Sequence, residues 1–434
     1  MGKAVNKSPA SLQRADRLVW QVSAILLLGA LIGMAAGLLS LLLTMVESLA
    51  LGFHESPSIP GPFHVAPWRR CLSVLLGLTL ASLVWWFLRN RSPRVPSVKQ
   101  AVDGQGMPCW QTLLHVVTQI VIVGCGASIG REVAPRELGA MLGQRFSGLF
   151  KLADQDRRLI VAISAAAGLA GVYNAPLAGL FFALEILLVD ITIETVLMAL
   201  GTSSVAAFTA SLIRGDQVFY QLPHLQAHAT PSIMVFALLG GVVCGVCGTL
   251  FRCGSNWAEA HKPTQGSAML WQMPLAGLVT GLVAIWLPQV MGNGRAAAQP
   301  AFSAGTAGQA LSSLLLMLLL VAVAKGLVTL LTIRSGASGG VLQPGIALGA
   351  TVGAIMGLGW IAAFPQDSLA ACALIGACAL LAASQQAPLM AMCLVMELTG
   401  SGMSLVVPVG LAVAMSALVS KRLLHWQQVR LSRN

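Results

Sequence analysis

The segment Gly126–Pro135, "GASIGREVAP", places an arginine and a glutamate, Arg131 and Glu132, among small residues between two strongly apolar runs. A glycine-rich turn before a helix leaves the first backbone N–H groups of that helix unpaired, and the helix dipole adds positive potential there. Such a helix start binds anions. A carboxylate beside it is itself an anion, so we expect Glu132 to block the site until protonation or a competing anion releases it.

A second copy of this pattern lies in the C-terminal part of the chain. Gly336 begins "GASGGVLQPGIALG", which matches "GASIGREVAPRELG" from Gly126, and Ile375–Glu397 matches Ile163–Glu185 without gaps. Two matched blocks in the same order predict a duplicated half. One glycine motif alone would favour close helix packing, whereas two copies, each followed by a proline, favour an anion site.

The elements that position these motifs are predicted to be membrane-spanning helices. The 434-residue chain is 56% hydrophobic and only 9% charged, whereas soluble domains carry about 25% charged residues. Apolar runs of the ~20 residues that a bilayer requires recur at Leu18–Leu51, Cys71–Leu88, Ser232–Phe251, Leu270–Leu287 and Leu311–Leu331. The sequence therefore predicts an all-α polytopic membrane protein with the lipid bilayer as partner. The net charge of +11 comes from loops and tails and does not indicate nucleic-acid binding.

The distribution of charge predicts how the two halves cross the membrane. Basic residues precede the first span and follow the last, so both termini should be cytoplasmic, whereas the junction carries one arginine and no lysine. The halves then run in opposite directions, as in the inverted repeats of many transporters. The predicted parts are a cytoplasmic tail at 1–17, a first membrane half at 18–213, an extracytoplasmic junction at 214–231, a second membrane half at 232–420 and a cytoplasmic tail at 421–434.

Other polar residues have less specific interpretations. Glu185 and Glu397 hold equivalent repeat positions, where they serve either as helix caps and hydrogen-bond acceptors or in transport. Glu137 caps a helix or pairs with Arg136, and Lys325, alone in an apolar run, requires a partner. A salt bridge between adjacent Arg131 and Glu132 is the weaker alternative, because neighbouring helix residues do not face each other.

The sequence does not indicate an enzyme. "GASG" at Gly336–Gly339 matches the GxSG of intramembrane serine proteases, but a nucleophilic Ser338 needs a histidine base, and the only later histidine, His425, lies beside the C-terminal tail. No HExxH motif is present. Cys244 and Cys247 form one CxxC without a second ligand pair, which favours helix packing. We therefore expect no cofactor and no metal site.

Taken together, the motifs resemble those of the ClC family of chloride channels and chloride/proton exchangers. "GREVAP" is similar to the family's GREGP segment, "GGVLQP" to GGIFAP, and "AAGLAGVYNAPLAGLFFALE" to its most recognisable helix pair. "PWRR" at Pro67–Arg70 and "MGNGRAAAQ" at Met291–Gln299 are typical of a bacterial branch of voltage-gated chloride channels. The resemblance implies a ClC-type inverted repeat with broken and tilted helices. It also implies a homodimer in the bacterial inner membrane, with one chloride pathway in each subunit.

By the same resemblance, Glu132 falls on the gating glutamate of the family. Arg131, Glu132 and Val133 fall on the helix start that binds the outer ion, and Val341 and Leu342 fall on the residues whose backbone amides hold the central ion. The implied activity is chloride transport, with chloride as the transported ion and no cofactor.

Three positions depart from the family pattern. The serine of the first motif falls on Pro93, the tyrosine that closes the inner side falls near Val429, and the proton-relay glutamate of many exchangers falls on Ile186. Ile186 favours a gated, passive chloride channel, which is the main prediction. Glu132 and the bacterial setting favour the alternative, a chloride/proton antiporter, and Pro93 leaves a preference for nitrate open.

Overall fold

The computed structural model describes residues 17–188, 191–216, 218–223, 225, 229–304 and 311–431. Within these ranges the chain folds into helices, with no β-sheet and one isolated bridge between Gly130 and Gly340. The predicted all-α class is therefore confirmed.

Eight α-helices of the first half and eight of the second are described. The first eight are α1 (Arg17–Ala50), α2 (Pro67–Arg91), α3 (Val98–Val102), α4 (Cys109–Gly124), α5 (Val133–Leu149), α6 (Asp154–Tyr173), α7 (Pro176–Phe182) and α8 (Ile193–Arg214). The others are α9 (Pro231–Ala260), α10 (Met269–Trp286), α11 (Arg295–Phe302), α12 (Leu311–Arg334), α13 (Leu342–Ala363), α14 (Leu369–Gln385), α15 (Pro388–Thr399) and α16 (Val406–Leu431). The predicted tail at 421–434 thus begins inside α16.

Eight of these helices are long and apolar enough to cross a membrane: α1, α2, α8, α9, α10, α12, α13 and α16. All five apolar runs found in the sequence lie within helices of this set, to within one residue at their ends. By contrast, α15 has only 12 residues, which cover ~18 Å of a hydrocarbon core that is ~30 Å thick. Short helices of this kind are the broken helices that the sequence resemblance implies.

The two halves pack by the same rule. In the first half α1 lies parallel to α8, and in the second half α9 lies parallel to α16. In both pairs, small residues of one helix contact successive turns of the other. The contacts advance in step along both pairs: Gly29 with Val205 and Gly37 with Ile213, then Gly241 with Met415 and Gly245 with Val419.

Polar contacts connect both described chain ends on one face of the molecule, here called the tail face. They are Arg17 with Asp156 and Glu194, Arg158 with Asp103, Arg89 with the carbonyl of Pro263, and Cys253 with Gln427. Residues 214–216 and 218–219 lie on the opposite face, here called the junction face. The pair α1 and α8 therefore runs from the tail face to the junction face, and the pair α9 and α16 runs back, which confirms the inverted repeat.

Glu185 and Glu397 join the two halves at equivalent places. Glu185 accepts hydrogen bonds from the start of α15, and Glu397 accepts them from the start of α7. The N···O distances are 3.1 Å from Leu389, 2.8 Å from Met390, 2.9 Å from Leu177 and 2.8 Å from Ala178. A carboxylate is favourable at a helix N-terminus, so the contacts of both acids are those of caps.

Close helix packing by glycine also occurs, at glycines that lie within helices rather than in the two loops. A Cβ atom on Gly168 of α6 would overlap the carbonyl oxygen of Pro135 in α5. In the second half, Gly349 and Gly376 hold α13 and α14 together in the same way. Glycines in the loops thus form the candidate anion site, whereas glycines within the helices allow the helices to pack closely.

We expect a tag inserted near Gln226 to be extracellular and tags on both termini to be cytoplasmic, because basic residues are retained on the cytoplasmic side of a membrane. Gln226 itself lies outside the described residues. The measurement is accessibility labelling of intact cells, with permeabilised cells as the control that every tag is present. A junction tag that is labelled only after permeabilisation would contradict the predicted orientation.

Candidate functional site

The two glycine-rich loops meet at the centre of the molecule. Gly130 and Gly340 exchange backbone hydrogen bonds, with N···O distances of 2.7 and 2.8 Å. Each loop begins at a glycine with positive φ, +100° at Gly126 and +112° at Gly336, a conformation that side chains disfavour. The loops lead directly into α5 and α13, so the starts of these two helices lie against each other.

The Glu132 carboxylate lies between these two helix starts and is completely buried. Its Oε1 accepts a hydrogen bond from the backbone N–H of Leu342 at 2.7 Å. Its Oε2 accepts one from the hydroxyl of Tyr173 at 3.1 Å. A Cβ atom on Gly130 or Gly340 would overlap the carboxylate oxygens, so the two glycines leave the space that the carboxylate fills.

Two cavities approach Glu132 from opposite sides. A tail-face vestibule of about 800 Å³ is lined by Val133 and Gly339, among other residues. A junction-face cavity of about 370 Å³ is lined by Arg131. Because the residues before and after Glu132 line different cavities, Glu132 stands in the partition between them.

The structure brings most of the residues singled out from the sequence to this partition. Val133 is the first residue of α5, with Glu132 at its N-cap, and Leu342 is the first residue of α13, with Val341 at its N-cap. Arg131 makes no ion pair with Glu132 in the described part of the chain; its guanidinium lies over the rings of Tyr173 and Phe219.

The three positions that depart from the family pattern, Pro93, Val429 and Ile186, lie outside the partition. Pro93 is exposed in the loop between α2 and α3 and is not among the residues that line the tail-face vestibule. Val429 lies near the end of α16 and does not line the vestibule either. Ile186 does line it, whereas the neighbouring Glu185 turns away to cap α15. These adjacent side chains therefore face different surfaces.

A close contact between a histidine and a glutamate, which sequence reasoning missed, lies on the wall of the tail-face vestibule. Glu137 Oε2 lies 3.4 Å from Nε2 of His115 and accepts a hydrogen bond from Gln119 at 2.6 Å. Trp85 donates to Nδ1 of His115 at 2.9 Å. Glu137 thus pairs with α4 rather than with Arg136, whose guanidinium bonds the carbonyl of Glu132. The only sequence signal was a histidine in a largely apolar helix.

The partner of Lys325 is backbone. Its ammonium group donates to the carbonyl oxygens of Val290 at 3.0 Å and Gly292 at 2.8 Å. Gly292 in turn donates its N–H to the carbonyl of Gly126 at 3.0 Å. Lys325 therefore supports the first glycine loop through a neighbouring segment, and it is not among the residues that line the two cavities.

The described residues contain no group of three or more His, Cys, Asp and Glu side chains that could hold a metal ion. Cys244 is buried in α9 and Cys247 is partly buried in the same helix, and both are free thiols. The backbone N–H groups at the helix starts and the Tyr173 hydroxyl are all donors. The arrangement is thus suited to hold an anion.

Comparison with known proteins agrees with this geometry. A family model described as "Voltage gated chloride channel" matches residues 76–421. The voltage-gated ClC-type chloride channel ClcB of Escherichia coli O17:K52:H18 is 29% identical over 82% of this chain and 85% of its own length. The crystal structure of a slow cyanobacterial Cl⁻/H⁺ antiporter has a TM-score of 0.75, with 23% identity over 92% of this chain and 95% of that one. A CLC-type fluoride/proton antiporter has a TM-score of 0.65, with 20% identity over 96% and 98%.

The structural likenesses show a shared fold, and the family model covers most of the chain. The relatives are channels and transporters rather than enzymes. With the paired helix starts and the buried carboxylate between two cavities, the conclusion is that this multi-pass membrane protein belongs to the voltage-gated chloride channel (ClC) family of anion transport proteins.

Proposed function

We propose that this protein is a chloride channel of the bacterial inner membrane in which the carboxylate of Glu132 is the gate. The observation that carries the proposal is the position of Glu132, buried between two cavities and bonded to the first N–H of α13. The family assignment and the ClcB relative support an anion as the permeant species.

In this mechanism the carboxylate and chloride compete for the same donors. The N–H groups at the starts of α5 and α13, at Val133, Val341 and Leu342, attract one negative charge. When Glu132 is ionised it occupies that position. When it is protonated, or when chloride displaces it, the partition between the vestibule and the junction-face cavity opens to the anion. Arg131 adds positive charge on the junction side.

A passive channel is the form favoured by Ile186, which lines the tail-face vestibule where many exchangers carry a glutamate. Proton exchange needs a titratable group or ordered water between Glu132 and the cytoplasm. Ile186 offers no such group, and the carboxylate of Glu185 is engaged as a cap. Pro93 provides no hydroxyl for the inner end of the pathway.

A chloride/proton antiporter is the second candidate, and one pair of residues favours it. Glu137 and His115 line the same vestibule as Ile186 and lie within 3.4 Å of each other. They are two titratable groups on the tail side of Glu132, where a relay would have to stand. A transporter that prefers nitrate is a further form of the same proposal, based on Pro93.

The proposal includes the orientation of the protein in the membrane and its oligomeric state. The tail face carries Arg17, Arg89, Arg158 and further basic residues, so it is the side expected in the cytoplasm. Large apolar side chains are exposed along the spanning helices, for example Leu80 and Leu250, and these face lipid. Two copies are expected to form a homodimer, with one pathway in each.

We expect Glu132→Gln, a neutral mimic of the protonated acid, to raise chloride flux at neutral pH and to remove its pH dependence. The measurement is chloride efflux from proteoliposomes between pH 5 and pH 8. Glu397→Gln is the matched control, because it neutralises a capping carboxylate outside the partition. Flux and pH response that stay as in the unmodified protein would show that Glu132 is not the gate.

We expect Tyr173→Phe to open the gate more readily, because it removes one hydrogen bond to the Glu132 carboxylate and keeps the ring. A bond to a charged group contributes ~1.5 kcal/mol, which corresponds to a change of about tenfold in the balance between closed and open gates. Chloride flux at neutral pH is the measurement. Tyr220→Phe is the control, since its hydroxyl bonds Gln343 at 2.5 Å and not Glu132. Equal chloride flux in Tyr173→Phe and Tyr220→Phe would show that the Tyr173 hydroxyl does not keep the gate closed.

We expect a chloride gradient to drive little or no uphill proton movement in proteoliposomes that carry the unmodified protein. Chloride and pH are recorded together. Reproducible proton uptake that is abolished in Glu132→Gln would replace the channel by the antiporter. In that case Glu137→Gln should reduce proton flux more than chloride flux, whereas Glu397→Gln should leave their ratio unchanged.

A further inference from the structure

Arg136 lies one helical turn beyond Glu132, on the tail side of the partition, and has no part in the mechanism proposed above. It belongs to the first turn of α5, is partly exposed and lines the tail-face vestibule. Its counterpart in the second copy of the repeat, at the same spacing as Gly126 and Gly336, is the completely buried Ile346. Only one copy of the repeat therefore places a cation at this position, and that cation borders the vestibule.

Two contacts hold the guanidinium of Arg136, and each uses a different part of it. Its Nε donates to the backbone carbonyl of Glu132 at 3.0 Å. Its central carbon lies 5.0 Å from the ring centre of Phe182, and a contact of this kind uses the face of the guanidinium. The edge formed by Nη1 and Nη2 takes part in neither contact, so it is the part left to reach the vestibule.

The neighbouring acid does not occupy this edge. Among the described residues, no carboxylate forms an ion pair with Arg136. The adjacent Glu137 is directed to α4, where it accepts a hydrogen bond from Gln119 at 2.6 Å and lies 3.4 Å from His115. The charge of Arg136 is therefore not cancelled by a direct partner within the described chain.

A second arginine of the same wall is bonded differently. Arg89 donates from its two Nη groups to the carbonyl oxygen of Pro263 at 3.1 Å, to that of Gly336 at 2.8 Å and to the hydroxyl of Ser338 at 3.0 Å. Its Nη groups thus tie the second glycine loop to α2. The comparison identifies Arg136 as the arginine of this wall that is held through its Nε and its face.

An open edge of a guanidinium discriminates between anions by their shape. It presents parallel N–H bonds in one plane, which match two oxygens of a planar oxyanion and form two hydrogen bonds with it at once. A spherical halide has a single acceptor atom, which cannot lie in line with both N–H bonds. The positive charge attracts either kind of anion, whereas the geometry of the edge favours the planar one.

We propose that Arg136 is a specificity-determining residue, which makes the tail side of the pathway favour planar oxyanions of one negative charge, nitrate or bicarbonate, over chloride. The inference rests on the proposed function, because it takes the tail-face vestibule as one half of the anion pathway. It assigns the preference to a guanidinium of α5 rather than to Pro93, which is exposed and does not line the vestibule.

The first test measures binding without transport. The purified full chain with Glu132→Gln is titrated with nitrate, bicarbonate and bromide in a calorimeter at pH 8, and thermal unfolding shows that each variant is folded. We expect a planar anion to bind more tightly than bromide, and whichever of the two binds identifies the oxyanion. Arg136→Lys keeps the charge without the fork, so it should weaken planar-anion binding about three- to tenfold, as expected for one lost hydrogen bond. Bromide binding should change much less.

The second test measures selectivity during transport. The concentrations of nitrate and of bromide that halve chloride efflux from proteoliposomes are compared in the unmodified protein, Arg136→Lys and Pro93→Ser. We expect Arg136→Lys to raise the nitrate concentration about three- to tenfold relative to that of bromide, again by the loss of one hydrogen bond. Pro93→Ser should leave the ratio of the two concentrations as it is in the unmodified protein.

The results that overturn the inference differ from those that overturn the proposed function. Equal binding of planar anions and bromide in the presence of Arg136 overturns the inference. So does a preference that is lost in Pro93→Ser and kept in Arg136→Lys. Absence of chloride efflux from the proteoliposomes overturns the proposed function instead, and the titration then still decides whether Arg136 selects planar anions.

Discussion

The constraint on which this structure depends is that irregular backbone inside a membrane must pair its own hydrogen-bonding groups. Two glycine loops interrupt the helices at the centre of the molecule, and each satisfies the other through the reciprocal bonds of Gly130 and Gly340. Because the loops are related by the repeat, this pairing fixes the starts of α5 and α13 face to face. The remaining donors at those starts then point into one small volume, where a negative charge is favoured.

Among the described residues, Glu185, Glu397 and Glu132 each accept a backbone N–H from a helix start of the opposite half, and their different bonding explains their different uses. Glu185 and Glu397 each accept two backbone N–H groups from a helix of the opposite half. These contacts lock the halves together. Glu132 accepts one backbone N–H and one phenol hydroxyl, and it has a cavity on both sides. The contact of a carboxylate with a helix start therefore holds the two halves together at Glu185 and Glu397. At Glu132, in our proposal, an anion can take the place of the carboxylate.

Much of this could be predicted from the sequence, because it rests on local patterns. The apolar runs, the duplicated blocks and the glycine loop beside Glu132 are all visible within short windows. The remaining features depend on contacts between distant residues: Tyr173 reaches Glu132 across 41 positions, and Lys325 reaches two carbonyls more than 30 positions away. No periodicity or motif encodes such contacts.

The two copies of the repeat differ at one residue pair of the site, Glu132 and Leu342. The spacing of the two glycine loops, from Gly126 to Gly336, is 210 residues, so the counterpart of Glu132 is position 342, which is Leu342. A carboxylate at both positions would set two like charges against one pair of helix starts, and the ionised forms would repel each other. With Leu342 contributing only its backbone N–H, one acid faces two sets of donors. Duplication thus supplied two equivalent helix starts, and the loss of equivalence at one residue pair leaves a single carboxylate between them, which in our proposal one anion replaces.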